Sequence, residues 1–350
     1  MTKTKNVILS AKDVVVEFDV RDRVLTAIRN ISLDLYEGEV LAVVGESGSG
    51  KSVLTKTFTG MLESNGRIRS GSIKYRDIEL TDVKSNSEWE KIRGKKIATI
   101  FQDPMTSLDP IKTIGYQICE VIIKHQGKSQ SEAKELAIDY MKKVGIPEAE
   151  KRFGEYPFQY SGGMRQRIVI AIALACKPDV LICDEPTTAL DVTIQAQIID
   201  LLKSLQREYQ FTTVFITHDL GVVASIADKV AVMYAGDIVE YATVEEIFYD
   251  PKHPYTWSLL SSLPQLANAG DELFSIPGIP PSLYKEISGD AFAPRSRYAM
   301  KIDFEETPPK FEVSETHWAK TWLLHPDAPK VDKPKVIQDL HEKISKKMSK

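Results

Sequence analysis

The chain has 350 residues, 43% apolar and 27% charged, the balance of a soluble globular protein with room for one large domain and a smaller one. A formal charge of −4 and a pI near 6.0 speak against a protein built to coat nucleic acid, so none is expected as a partner. The longest apolar run, Ile168–Cys176, is closed by Arg167 and Lys177 and is too short to span a bilayer. The opening "MTKTKNVILSAKDVVVEF" does not have the form of a signal peptide.

In chain order, residues 6–45 read as strands, as in "DVVVEFDV" and "EVLAVVG", with Gly38 at a turn. A glycine-rich turn then leads into a helix over 51–62. Between about 104 and 160 the pattern is helical and more polar. "SQSEAKELAIDYMKKVG" opens on a capping box, Ser129 to Glu132, and stops at Gly145. Its apolar stripe is Ala133, Leu136, Ala137, Tyr140, Met141 and Val144. Short apolar runs follow, "DVLICDEP", "TTVFITHD" and "KVAVMYAG", separated by helical stretches such as "VTIQAQIIDLLKSLQREY". Strands alternating with helices predict a mainly parallel, buried sheet.

Beyond about 248 the composition changes, with twelve of the eighteen prolines lying past residue 250. We expect three parts: residues 1–247 with a helical subdomain at about 104–160, a small proline-rich domain over 248–330, and a basic tail over 331–350. A frayed, solvated terminus is the simplest reading of that tail. Cys119, Cys176 and Cys183 are far apart in apolar surroundings and read as small hydrophobes in a reducing cytosol.

Chemistry concentrates in two motifs. "GESGSGKS", comprising Gly45, Glu46, Ser47, Gly48, Ser49, Gly50, Lys51 and Ser52, follows the strand "VLAVV" and precedes a helix. Glycines there let backbone N–H groups wrap a phosphate chain, Lys51 reaches the β- and γ-phosphates, and Ser52 ligates Mg²⁺. "VLICDEP" is a buried strand ending in two acids: Asp184 to hold Mg²⁺, Glu185 to orient and polarise an attacking water. Together they predict a P-loop NTPase but no particular function. A third stretch, "QYSGGMRQRIVIAIALAC", starts a helix on Ser161, Gly162 and Gly163, whose unpaired N–H groups suit an anion. It contains no acid, base or metal ligand that would act on one.

Ser161 precedes Asp184 by 23 residues, Gln102 lies between it and the P-loop, and His218 follows Asp184 by 34. This ordered set resembles the ATP-binding-cassette family over about residues 6–247. The resemblance implies a RecA-like α/β core with an N-terminal antiparallel β layer and a helical insertion, binding ATP and Mg²⁺. It also implies roles: Gln102 touches Mg²⁺ and water and senses the membrane partner, and His218 contacts the γ-phosphate. Ser161, Gly162 and Gly163 form the signature loop, and Asp191 in "TALD" matches the loop that crosses the dimer interface. Phe18 is the candidate to stack on adenine, although an aromatic in a strand also serves as core. Two cassettes in this family close head-to-tail, so the signature of one grips ATP on the other's P-loop. Tyr160 departs from the family's usual leucine, with little effect expected.

"IFQDPMTSLDP", "DPKHPYTWSLLSSLP" and "SIPGIPP" resemble hallmarks of the oligopeptide and dipeptide permease subgroup. The run as a whole is most similar to the D-type ATPase subunit of oligopeptide permeases, those of the streptococcal Ami system included. The resemblance implies ATP-driven peptide import from the cytoplasmic face of the membrane, as a peripheral subunit. The expected partners are a second, unlike ATPase subunit, two transmembrane permease subunits and, indirectly, an extracellular peptide-binding lipoprotein. Pro104 to Ser107 are expected near the permease contact. Uptake of another solute such as dipeptides or nickel, or a soluble ATP switch, is the alternative. Many relatives hold an iron–sulfur cluster on four C-terminal cysteines. Here those positions are Asp290, Ser296, Asp303 and Thr321, and no cluster is expected, because thiolates are the usual ligands. A hard-metal site at Asp290 and Asp303 is the alternative to scattered surface carboxylates.

Overall fold

The computed structural model describes residues 6–188, 190–263, 275–338 and 340. Two sheets frame it. The first is antiparallel, in the order β2-β1-β4-β5, from β1 (Val7–Val20), β2 (Arg23–Tyr36), β4 (Gly66–Tyr75) and β5 (Ile78–Glu79). The second has the order β11-β12-β10-β9-β3-β8-β7-β6. Its parallel part comprises β3 (Val40–Val44), β6 (Ile97–Ile100), β7 (Val180–Asp184), β8 (Thr212–Ile216) and β9 (Lys229–Tyr234).

Both faces of this sheet are covered, which is why β3 and β8 are buried at every position. Alternation along β3 assigns its sides. Leu41 and Val43 pack with Ile28, Leu35 and Phe58 beneath the antiparallel layer. Ala42 and Val44 pack with Tyr255, Phe292 and Ile337, all from the C-terminal part of the chain. The strand that delivers the glycine-rich turn is therefore clamped between the two ends of the sequence.

The sheet is not parallel throughout. β10 (Asp237–Thr243) runs antiparallel to β9, and β12 (Trp318–Ala319) and β11 (Phe311–Glu312) continue that antiparallel edge. Residues past 300 thus extend the main sheet, with Trp318 opposite Tyr241. The helix Val244–Tyr249 crosses the boundary expected at 247.

In the insertion, helices Ile114–Gln126 and Gln130–Lys143 pack against Gly162–Ala175. The expected stripe is buried except for Leu136, which is partly buried. The capping box is in place: Ser129 N–H donates to Glu132 Oε2 (3.0 Å) and Glu132 N–H to Ser129 Oγ (3.4 Å). The Ser129 N–H and hydroxyl donating to that carboxylate, with Lys128 beside it, hold the Glu132 carboxyl down at about 2. The tail begins as an anchored segment: Ile337 and Leu340 are buried, against the expectation of fraying, and 341–350 lie outside the described residues. The three cysteines are buried, and burial pushes the Cys176 thiol up to about 11. Among the described residues no helix is long and apolar enough to cross a membrane.

Candidate active site

β3 ends at Val44, and from Gly45 the chain turns through the glycine-rich loop into the helix Lys51–Thr59. Gly45 is enforced by crowding, since a Cβ there would lie 2.1 Å from the Met233 carbonyl oxygen. Gly50 begins the helix with φ of 102°, a conformation side chains rarely adopt. Lys51 is buried inside the loop, where its Nζ donates to the carbonyls of Gly45 (2.8 Å) and Glu46 (3.0 Å). Burial lowers its pKa, against the upward pull of Glu185, Asp184 and Glu46. Ser47 and Gly48 are exposed at the tip, and the Ser49 hydroxyl is buried without a hydrogen bond among the described residues.

β7 brings the two acids beside this loop. Ser52 Oγ donates to Asp184 Oδ1 at 3.0 Å. Burial raises the Asp184 pKa, partly offset by the Ser52 bond. Glu185 has a left-handed backbone (φ 47°), which turns the chain away from the strand just where its carboxylate is needed. Three segments converge on its Oε2: Gln102 Nε2 at 3.3 Å, the Thr188 hydroxyl at 2.9 Å and His218 Nδ1 at 3.6 Å. The Glu185 side chain is 19% exposed and that of His218 60%, so the cluster opens outward. Sequence reasoning missed Thr188; its only signal was its place three residues after Glu185.

Other expected site residues sit apart. Ser161 caps its helix, its hydroxyl accepting from Met164 N–H (3.3 Å), and Asp191 caps Val192–Tyr209 by accepting from Thr193 and Ile194. Gly163 lies so close to that second helix that a Cβ would stand 2.7 Å from Ile194 Cγ2. Among the described residues, no hydrogen bond joins Ser161 or Asp191 to the loop at 45–52. Val192, beside Asp191, is 83% exposed. Phe18 is partly buried, its ring lying across Gly66 of β4. Asp103 caps the short helix Pro104–Ser107 just after Gln102, and Met105 on it is exposed.

The chain resembles known proteins along most of its length. Residues 28–188 match the family model for ABC transporters, and 239–302 match that for the oligopeptide/dipeptide transporter C-terminal region. The oligopeptide transport ATP-binding protein AmiE of Streptococcus pneumoniae is 80% identical over 99% of this chain and 98% of its own. The dipeptide transport ATP-binding protein DppD of Lactococcus lactis is 58% identical over 93% of each. The chain belongs to the ABC transporter family. A solved ATP-binding cassette, dimeric in a post-hydrolysis state with ADP and Pi, aligns with a TM-score of 0.60 and 29% identity. That alignment covers 67% of this chain and 98% of the cassette. As a member of the family's oligopeptide-transport branch, this chain is an ATPase subunit of an ABC importer.

Asp290, Ser296, Asp303 and Thr321, in the C-terminal part, are built into local turns. Asp290 accepts from Phe292 N–H, Ser296 from Tyr298, Asp303 from Met300 and Thr321 from Leu323. Asp290 and Asp303 are buried, which corrects the expectation of scattered surface carboxylates, and burial raises the Asp303 pKa. Among the described residues no group of three or more His, Cys, Asp or Glu is arranged to hold a metal.

Proposed function

We propose that this chain binds and hydrolyses ATP in its glycine-rich loop to power uptake of oligopeptides, as its relatives' names suggest. The convergence of Gln102, Thr188 and His218 on the Glu185 carboxylate, beside Lys51 and Ser52, carries the reading. In this scheme Lys51 leaves the Gly45 and Glu46 carbonyls for the β- and γ-phosphates, with the backbone donors of residues 45–50 around them. Glu185 orients the water and takes its proton as the water oxygen bonds to the γ-phosphorus and the bond to ADP breaks. His218 contacts the γ-phosphate, and Phe18 stacks on adenine. Ser52, Asp184 and Gln102 offer oxygens of the kind Mg²⁺ takes, and the ion would supply neutralisation of phosphate charge.

Ser161, Gly162, Gly163 and Asp191 serve ATP held by a second, unlike cassette. That the described bonds of Ser161 and Asp191 are local supports this assignment. The chain works peripherally at the cytoplasmic face of the membrane, with two transmembrane permease subunits meeting it near Pro104–Ser107 and a peptide-binding lipoprotein outside. Residues 1–247 form the cassette, 248–330 the appended domain and 331–350 the tail. Purification from solubilised membranes tests the reading: two polytopic proteins and one further ATPase should co-purify, and the assembly should take up labelled oligopeptide only with ATP. Recovery of the chain without membrane proteins would sink the transport role.

A further inference from the structure

Glu46 stands in the glycine-rich loop, yet its carboxylate is held by a residue 249 positions away. Arg295 Nη1 donates to Glu46 Oε2 at 2.6 Å and Nη2 to Oε1 at 3.0 Å, a two-pronged ion pair. The Glu46 backbone N–H donates to the Tyr255 hydroxyl at 2.7 Å, so the same residue is gripped twice from the C-terminal region. Arg295 is itself immobilised. Its Nε donates to the Pro277 carbonyl (2.8 Å), Nη1 to the Tyr234 hydroxyl (3.2 Å) and Nη2 to the Ile276 carbonyl (3.5 Å). Its guanidinium also faces the rings of Tyr234 and Phe292, and the side chain is only 5% exposed.

A loop containing Gly45, Gly48 and Gly50 is soft, and ordering it on ligand arrival would cost affinity. A planar guanidinium fixed at five atoms to β9, the 276–277 segment and Glu46 removes that freedom beforehand. We infer that Arg295 is a positioning residue for ATP binding: by holding Glu46 it presets the loop, and so makes ATP affinity depend on how the C-terminal region packs. The inference rests on the reading of residues 45–52 as the ATP loop.

The test is titration of the full chain with a fluorescent ATP analogue, well below its melting temperature, with melting curves recorded alongside. Arg295→Ala should weaken binding about tenfold, the scale of one lost charged hydrogen bond. Arg295→Lys, which keeps charge but loses the fork, should recover only part. Glu46→Gln should weaken binding in the same direction, and adding it to Arg295→Ala should bring little further loss, because both act on one contact. A merely structural Arg295 would lower the melting temperature and leave the dissociation constant alone; that result would overturn the inference. If Arg295→Ala does not fold, unchanged affinity in both Arg295→Lys and Glu46→Gln overturns it equally. Lys51→Ala separates the underlying reading, since binding that survives this change would mean that residues 45–52 are not the ATP loop.

Discussion

Two regions of this molecule that we propose serve ATP are built differently. Around Glu185, side chains from three segments already touch within one chain. At Ser161–Gly163 a helix starts on an exposed serine and glycine, and the serine hydroxyl is spent on its own cap. A site whose contacts close within the chain can be damaged by changes that are felt there alone. A site whose contacts are all local needs a second surface, and its damage should show only when that surface is present.

The sharpest break between the two is Glu185→Gln. It keeps the shape and the Gln102 and Thr188 neighbourhood but loses the proton acceptor, so turnover should fall by about 10²–10⁴ with ATP binding retained. Single-turnover hydrolysis with parallel nucleotide binding checks this, and near-normal turnover would remove Glu185 from the chemistry. Next comes Ser161→Arg. ATP labelling of the isolated chain should be nearly unchanged, whereas turnover of the assembled complex should drop roughly a hundredfold, the scale of losing a preorganised donor set. Crosslinking of nucleotide to each subunit separately decides it; loss of labelling on this chain in isolation would defeat the two-surface argument.

Smaller is Thr188→Val, which removes the hydroxyl donated to Glu185 Oε2 at 2.9 Å without changing volume much. Turnover should fall about three- to tenfold, the range of one ordinary hydrogen bond, with little change in the KM for ATP. A large KM effect with constant kcat would instead make Thr188 part of the nucleotide pocket.

What the sequence revealed follows from the same contrast. The ATP loop and the Asp184–Glu185 strand end were legible because their chemistry is contiguous: glycines, lysine and hydroxyl within eight residues, two acids after four apolar ones. Gln102 and His218 carry no local signal and came only from the resemblance. The Arg295–Glu46 pair was invisible, because no periodicity connects residues so far apart. Nor did composition show that a proline-rich segment would add β11 and β12 to the main sheet, since two-residue strands leave no pattern. Asp290 and Asp303 were misread as surface for a related reason. Asp290 opens a turn and Asp303 closes one, each accepting a backbone N–H, and that lets a carboxylate be buried where its residue type predicts exposure.

The smallest effect sharpens the comparison most, because Ser161 has two separable tasks. Its hydroxyl accepts from Met164 N–H at 3.3 Å, which stabilises the helix whatever lies opposite. Ser161→Ala should therefore cost about 1 kcal/mol in the isolated chain, read as a lower unfolding midpoint, with its own ATP binding unchanged. Ser161→Asp supplies a carboxylate cap and favours the helix dipole, so the midpoint should return to its original value or above. In the assembled complex, however, that same carboxylate would meet the phosphates of the partner's ATP with like charge. Stability should be rescued while turnover is not. Were Ser161→Asp to restore both, the serine would be a cap and nothing more, and the helix start would have no claim on a second nucleotide.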